Sequence, residues 1–277
     1  MSEKKFAIIG DPISHSLSPT MHNYWFKKYK INAQYELLHI KEKEIINVID
    51  NIKKKKITGI NVTLPYKKLV IPFLSKTIND ARETHSVNTI MMNENNELVG
   101  ENTDVFGFQA AYLKLLSKNE KVNKKALILG AGGVAPSIIL ALLKSNISNI
   151  SVSNRTYEKS LFLQQKFKGI NLIKWEKYPE VLYKFDILIN ATSLGLVSSE
   201  DPKLKIKNVK KDMIFIDTIY NPQQTKLIKL FKSHNIKTFN GLSMLIYQGQ
   251  KSFYLWNKIN PEVDDELLEL LDSKINK

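Results

Sequence analysis

Short apolar runs alternate with segments whose apolar side chains recur every third or fourth position, and this pattern continues almost to the end of the chain. Such alternation predicts α/β architecture with mostly parallel sheets. In the first third, strands are expected over residues 4–9, 34–39 and 59–62. Between the first two, Ser18-Pro19 reads as a serine N-cap with proline at the first helical position. Met21, Tyr24, Trp25, Lys28 and Tyr29 then follow at helical spacing. Residues 104–116 read as a helix leading into a more regular second region, with strands over 126–129, 149–153, 185–190, 213–217 and 237–239. Runs such as Ile187-Leu188-Ile189 point to strands covered on both faces. From Leu242 the pattern turns helical again through Leu245, Ile246, Gln248, Gly249, Phe253 and Trp256, and Pro261 is expected to open a last amphipathic helix to about Leu271. The plan is two α/β domains: residues 1–103, with a mixed sheet and completed by helices within 242–277, interrupted by a Rossmann-like doubly wound domain over 104–241.

Composition narrows the chemistry. The 277 residues contain no cysteine, which removes disulfides, thiolate metal sites and cysteine nucleophiles together. Only five histidines are scattered along the chain, so no metal constellation is expected. The apolar stretch after Met1 is too short for a signal peptide, and no run approaches the length of a spanning helix. The expectation is a soluble, cytoplasmic protein without a membrane partner. A net charge of +14 raises the question of nucleic acid, yet of 41 basic residues only Arg82 and Arg155 are arginine. Nucleic-acid contacts favour arginine for its fork of donors. The lysines lie beside asparagine and isoleucine, a mixture that A/T-rich codons produce without any partner. No nucleic-acid partner is expected, and the run Lys53 to Lys56 reads as the solvated end of a helix.

The turn Gly130-Ala131-Gly132-Gly133-Val134-Ala135 follows an expected strand and opens an expected helix. It fits G-x-G-x-x-A, in which close backbone approach and a helix N-terminus accommodate a pyrophosphate. The position inside a βαβ unit is the context that this motif requires. An NAD site wants an acid at the end of the next strand, to accept from the ribose 2′-hydroxyl. Here that strand ends in Ser153-Asn154-Arg155-Thr156, with Lys159 one turn further. Arg155 and Lys159 can flank a 2′-phosphate, while Asn154 and Thr156 offer neutral hydrogen bonds and cap the helix. NADP is the expected cofactor.

Four polar clusters sit at strand ends or turns of the first region, where binding residues concentrate. They are residues 10–19, Asn61-Val62-Thr63-Leu64-Pro65-Tyr66-Lys67, Val87-Asn88-Thr89 and residues 100–104. Turn chemistry alone could account for any one of them. Together they supply hydroxyls, carboxamides, a lysine and a carboxylate, a set suited to a small polyhydroxylated acid. With these residues in view, the chain resembles the shikimate dehydrogenase family. The matching motifs are His15-Ser16-Leu17-Ser18-Pro19, Asn61-Val62-Thr63-x-Pro65-x-Lys67, Val87-Asn88-Thr89, Asn102-Thr103-Asp104, the glycine turn, Asn154-Arg155-Thr156, Asn190-Ala191-Thr192-Ser193 and Gln248-Gly249, in the family's order and spacing.

The resemblance implies NADPH-dependent, reversible reduction of 3-dehydroshikimate to shikimate, a step of aromatic amino-acid and chorismate biosynthesis. It implies that Ser16 and Ser18 hold the substrate carboxylate, and that Asn61, Thr63, Asn88 and Asp104 hold the ring hydroxyls and the reacting oxygen. Lys67 and Asp104 resemble the family's catalytic pair. Tyr220 and Gln248 resemble further substrate contacts, and Thr218, Gly241 and Met244 occupy positions beside the nicotinamide. Domain 1–103 then becomes the substrate-binding, catalytic part and 104–241 the NADP-binding part of a monomer or homodimer. His15 is expected to order its loop and His22 to pack on or cap the first helix. Departures from the family pattern are Glu83-Thr84-His85-Ser86, where smaller residues are common, Val134 and Pro136 after the glycine turn, Thr218 in place of a larger apolar residue, and Asn240-Gly241. A quinate/shikimate dehydrogenase on the same scaffold is the alternative enzyme, but Arg155, with no acid at the strand end, argues against NAD.

Overall fold

Apolar Phe6 to Ile9 form the buried centre of β1 (Lys4–Gly10) in a computed structural model that describes residues 3–116, 123–195 and 209–275. The chain divides into two units, Met1–Gly107 with Ile246–Lys277, and Phe108–Leu245. In the first unit β1 is followed by α1 (Ser18–Lys28), β2 (Ala33–His39), α2 (Ile45–Lys53), β3 (Gly59–Val62), β4 (Lys76–Thr77), α3 (Asp80–Thr84), β5 (Thr89–Met92), β6 (Leu98–Glu101) and the start of α4 (Asp104–Ala111). The strands form one mixed sheet in the order β2-β1-β3-β5-β6-β4, antiparallel at β3–β5 and β5–β6 and parallel elsewhere.

The second unit continues with β7 (Lys125–Leu129), α5 (Ala135–Lys144), β8 (Asn149–Ser153), α6 (Tyr157–Lys166), β9 (Asn171–Ile173), α7 (Tyr178–Val181), β10 (Ile187–Asn190), β11 (Ile214–Asp217), α8 (Lys226–Ser233) and β12 (Lys237–Phe239). All six strands are parallel, in the order β12-β11-β10-β7-β8-β9. Counted from β7, this is the 3-2-1-4-5-6 order of a doubly wound dinucleotide-binding sheet. Its switch point lies between β7 and β10, and both strands are buried along their apolar runs. Helices α9 (Leu242–Asn257) and α10 (Asp265–Ile275) complete the element order.

Several local expectations change. Helix α1 is capped by the Leu17 backbone rather than by Ser18, which lies inside the helix. The Ser18 N–H donates to Ser16 Oγ instead (3.3 Å). The last helix begins four residues after Pro261, because Asp264 caps it by accepting from the Leu267 N–H (2.9 Å). The residues before it are held against α1, with Trp25 Nε1 donating to the Glu262 carbonyl (2.9 Å). The helix from residue 104 ends at Ala111 and gives way to a 3-10 turn over Leu113–Leu115. Thr156 caps α6 through its backbone only. The short strands β4, β5, β6 and β9 carry no alternation long enough to announce them.

Helix α2 shows what the lysine-rich composition costs locally. It ends with the Lys56 N–H donating to the Asn51 carbonyl and the Lys55 N–H to the Ile52 carbonyl, both at 2.9 Å. This Schellman pattern puts Lys55 in the left-handed region at φ 58°, where glycine is strongly favoured. Lys55→Gly is therefore expected to stabilise the first unit by about 1 kcal/mol, read as a rise in the midpoint of urea unfolding.

Across the sheet, α1 and α9 enclose an aromatic cluster of Phe6, His22, Trp25, Phe26, Tyr35, Phe253 and Trp256. Gly249 lets the two helices meet, since a Cβ there would collide with Met21 Cε at 2.1 Å. The His22 ring is stacked on Tyr35 (4.4 Å between centroids, 6° between planes) and neither ring nitrogen has a partner among the described residues. His22 packs rather than caps, and complete burial pushes its pKa down to about 3. Below pH 6.5 the unfolded chain takes up a proton that the folded chain refuses. This contribution is complete above pH 6.5 and is lost as pH falls towards 3, on the order of 5 kcal/mol in the limit. His22→Phe is expected to retain the fold and to lose that part of the acid sensitivity. Denaturant titrations of both proteins between pH 7 and pH 4 measure the difference.

Candidate active site

The register of the first sheet brings three of the polar clusters into one row. Ile8 pairs with Asn61, Asn61 with Thr89, and Thr89 with Glu101. Strand β3 ends where the antiparallel β5 begins, so the chain segments beyond β3 and β6 and before β5 emerge at the same edge. The 63–67 turn is pinned there by the Val87 N–H donating to the Lys67 carbonyl (2.8 Å) and the Val62 N–H to the Asn88 carbonyl (2.8 Å).

At that edge Lys67 Nζ donates to Asp104 Oδ2 at 2.6 Å, with the two side chains only 12% and 7% exposed. Asp104 opens α4, where a carboxylate suits the helix dipole. The turn is set by Asn102 Oδ1, which accepts from the N–H groups of Asp104 (3.1 Å) and Val105 (3.3 Å). The other Asp104 oxygen accepts from Asn88 Nδ2 at 2.9 Å. Asn88 also donates to Thr103 Oγ1 and Gln248 Oε1, and its Oδ1 accepts from the Thr103 N–H (2.7 Å). Asn61 is equally engaged: Nδ2 lies within bonding distance of the Asn88 carbonyl, Thr89 Oγ1 and Ser252 Oγ, and Oδ1 accepts from the Tyr35 hydroxyl (2.7 Å). A buried ion pair needs such neutral partners, because unpaired lone pairs in a dry site are costly.

Of the expected residues in this unit, the structure therefore joins Asn61, Lys67, Asn88, Asp104 and Gln248 into one network. Ser18 is buried and touches the Tyr35 hydroxyl. Ser16 stands two residues before α1 and is half-buried. Thr63 heads the turn that carries Lys67, accepting from the Tyr66 N–H (2.9 Å) through its carbonyl. Tyr35, Thr89, Thr103 and Ser252 belong to the same network but were not singled out by sequence. Thr89 and Thr103 sit inside motifs already recognised, whereas Tyr35 and Ser252 become visible only through the packing of β2 and α9. In the departing stretch, Thr84 Oγ1 accepts from Asn102 Nδ2 (3.1 Å), so its hydroxyl helps to hold the residue that shapes the Asp104 turn. His85 takes a left-handed conformation at the end of α3, a role usually given to glycine.

In the second unit the glycine turn lies at the switch point. Gly130 has φ 110°, and a Cβ there would meet the Ala191 carbonyl at 2.7 Å. A Cβ on Gly132 would meet nothing within 4 Å, so the turn leaves open room for a ligand to approach the backbone. The Ala131 N–H donates to Asn154 Oδ1 (3.0 Å), and Asn154 Nδ2 donates to the Thr156 carbonyl (2.7 Å). Asn154 thus ties the glycine turn to the end of β8. Gly133 and Val134 precede α5, and Pro136 falls in its first turn, where its missing N–H is no loss. Arg155 and Lys159 are exposed, and their side chains make no hydrogen bond or ion pair among the described residues. An open backbone cradle with two unpaired cations at the next strand end fits a dinucleotide carrying an extra phosphate.

The remaining expected residues lie beyond β11. Thr218 Oγ1 donates to the Asn190 carbonyl (2.9 Å), and the Gly241 N–H donates to the Ile219 carbonyl (2.9 Å). A Cβ on Gly241 would meet the Thr218 carbonyl at 2.1 Å, so only glycine permits that approach. Tyr220 is half-buried in the same turn, and Met244 is buried in the first turn of α9. No group of histidine, aspartate and glutamate able to hold a metal occurs among the described residues, and none of their helices is long and apolar enough to cross a membrane.

Fold and site together define a two-unit α/β protein whose second unit is a Rossmann-type dinucleotide-binding module. Residues 8–90 match the model of the shikimate dehydrogenase substrate binding domain, and residues 114–240 that of shikimate / quinate 5-dehydrogenase. The chain is 48% identical over 270 residues to a shikimate dehydrogenase (NADP(+)) of Pelagibacter ubique, covering 98% of this chain and 99% of that one. It is similar in structure to shikimate dehydrogenase from Aquifex aeolicus (TM-score 0.87, 32% identity, 99% and 98% of the two chains). It is also similar to shikimate 5-dehydrogenase from Thermus thermophilus, solved in complex with NADP(H) and shikimate (TM-score 0.86, 28% identity, 98% and 99% covered). The chain belongs to the shikimate dehydrogenase family.

Proposed function

We propose that this protein catalyses the NADP-dependent, reversible reduction of 3-dehydroshikimate to shikimate. The observation that carries the reading is the Lys67–Asp104 pair, 2.6 Å apart and held from behind by Asn88, in a chain of this family. In this reading the first unit binds substrate and the second binds NADP.

NADPH, when bound, supplies the hydride. The chain's own residues manage the charge that results. Hydride arriving at a carbonyl carbon leaves negative charge on the oxygen, and Lys67 Nζ offers both a cation and a proton there. Asp104 keeps the ammonium in place through Oδ2, while Asn88 fixes the carboxylate through Oδ1. In the reverse direction Lys67 is the group beside the hydroxyl that loses its proton. Ser16 and Ser18, at the start of α1, serve the substrate carboxylate, since hydroxyls at a helix N-terminus favour an anion. Asn61, Thr63, Asn88 and Gln248 serve the ring hydroxyls, and Tyr220 is a further substrate contact. Gly130 to Val134 receive the pyrophosphate, with Asn154 and Thr156 shaping the adjoining strand end. Arg155 and Lys159 pair with the 2′-phosphate. Thr218, Gly241 and Met244 border the nicotinamide.

Shikimate-dependent reduction of NADP+, followed by absorbance, tests the function directly; quinate in place of shikimate and NAD+ in place of NADP+ are the controls. Preference for quinate or for NAD+ would refute the proposal. Lys67→Met is expected to lower kcat by at least about 100-fold while leaving the fold intact, as read by circular dichroism. Near-normal turnover in that variant would remove Lys67 from the mechanism. Arg155→Gln is expected to reduce kcat/KM for NADP+ by about 10- to 100-fold, the loss of a charge-assisted contact. Its effect on NAD+ should be within about threefold, and equal losses for the two cofactors would contradict the 2′-phosphate role.

A further inference from the structure

Two motifs in the second unit, Asn190-Ala191-Thr192-Ser193 and the Asp217 that starts Asp217-Thr218-Ile219-Tyr220, have no part in the chemistry described so far. The structure joins them. Asp217, at the end of β11, is fully buried, yet no lysine or arginine contacts it among the described residues. Its carboxylate is held by three neutral donors. Oδ1 accepts from Asn190 Nδ2 (3.0 Å) and from the Ile219 N–H (3.1 Å), and Oδ2 accepts from Thr225 Oγ1 (2.7 Å). Each donor belongs to a different piece of the strand-end surface: the end of β10, the turn after β11 and the cap of α8.

These pieces are further stitched to the cofactor cradle. Asn190 Oδ1 accepts from the Thr192 N–H and from Thr192 Oγ1 (2.6 Å), and Asn190 Nδ2 also donates to the Leu194 carbonyl (2.9 Å). That turn places the Ala191 carbonyl oxygen only 2.7 Å from where a Cβ on Gly130 would lie. On the other side, the Ile219 carbonyl accepts from the Gly241 N–H. The Thr218 hydroxyl adds a bond to the Asn190 carbonyl that an apolar residue could not make. A buried carboxylate without a cation is an expensive anchor, and burial raises the pKa of Asp217 to about 6. Retaining it makes physical sense where one acceptor must collect several donors at fixed angles.

We infer that Asp217 is a positioning residue for the cofactor, fixing the 190–195 and 218–220 turns as one rigid wall of the dinucleotide site. The inference rests on the second unit's binding NADP, as proposed above. It acts through Asn190, Ile219 and Thr225 and touches no reacting atom.

Asp217→Asn and Thr225→Val perturb the same carboxylate independently. The first removes its charge, and the second removes one donor while leaving the charge. NADPH binding, read from the fluorescence of the nucleotide itself, is expected to weaken at least about fivefold in Asp217→Asn and about two- to threefold in Thr225→Val. The KM for shikimate should rise less than the NADPH affinity falls in both, because Tyr220 is the one proposed substrate contact in the turns that Asp217 holds, a split that general loosening of the fold would not produce. Loss of the α8 cap in Thr225→Val should lower the thermal midpoint but not change that split. Wild-type affinity for NADPH in both folded variants would overturn the inference, as would equal weakening towards both substrates. If Asp217→Asn fails to fold, Thr225→Val decides alone. Wild-type protein that binds NADPH but leaves shikimate unoxidised would refute the proposed reaction and leave the binding comparison decisive for Asp217. Wild-type protein that does not bind NADPH would overturn both.

Discussion

A carboxylate and an ammonium taken out of water together need neutral partners for their remaining lone pairs and protons, and in the first unit that demand falls on Asn88. Its carboxamide donates to Asp104 and accepts from the Thr103 N–H, so the ion pair at Lys67 and the turn that opens α4 share one side chain. From Asn88 the hydrogen bonds run through Thr89 to Asn61 and Ser252, and from Asn61 to Tyr35, whose ring lies against His22. The polar floor and the aromatic cluster are therefore two sides of one construction. The aromatic side excludes water and makes the polar side strong. It also explains a histidine whose ring nitrogens have no hydrogen-bond partner among the described residues, because its place in the stack is defined by ring shape.

The second unit solves a related problem with a different residue. Parallel strands end at a common edge, and each following turn must bury backbone and side-chain donors without a neighbouring strand to receive them. Asp217 and Asn190 receive or supply those bonds for two adjacent turns and a helix cap. In both units, residues that look like ligands from their sequence setting prove to be heavily committed to the protein itself. Asn154 is a further example, since its carboxamide bridges the glycine turn and the end of β8. Such side chains fix geometry, and the groups beside them are left free for chemistry. Arg155 and Lys159 illustrate the other kind, exposed cations with no protein partner among the described residues.

Legibility followed the range of the interactions. Strands of continuous apolar residues, such as β7 and β10, and the glycine turn between strand and helix could be read directly, because local order and burial on both faces leave a local signature. The two-residue β4 and the half-exposed β9 leave none. The last helix starts at Asp265, four residues after the proline, because proline is a weaker start signal than the Asp264 side chain, which accepts from the Leu267 N–H. The Ser-Pro pair looks like a helix start, but the backbone had already turned at Leu17.

The order of residues alone determined the α/β class, the cofactor turn, the scarcity of arginine that makes Arg155 conspicuous, and the family to which the motifs belong. Each rests on contacts within a few residues or on motifs whose spacing can be counted. Only the tertiary structure decided that Lys67 and Asp104 meet, that Asn88 stands between Asp104 and Gln248, that Tyr35 and Ser252 support Asn61, and that Asp217 binds two turns together. These partners are separated by tens to nearly two hundred positions along the chain, up to 191 between Asn61 and Ser252. Strand register and helix packing bring them together, and neither is written in any local stretch of residues.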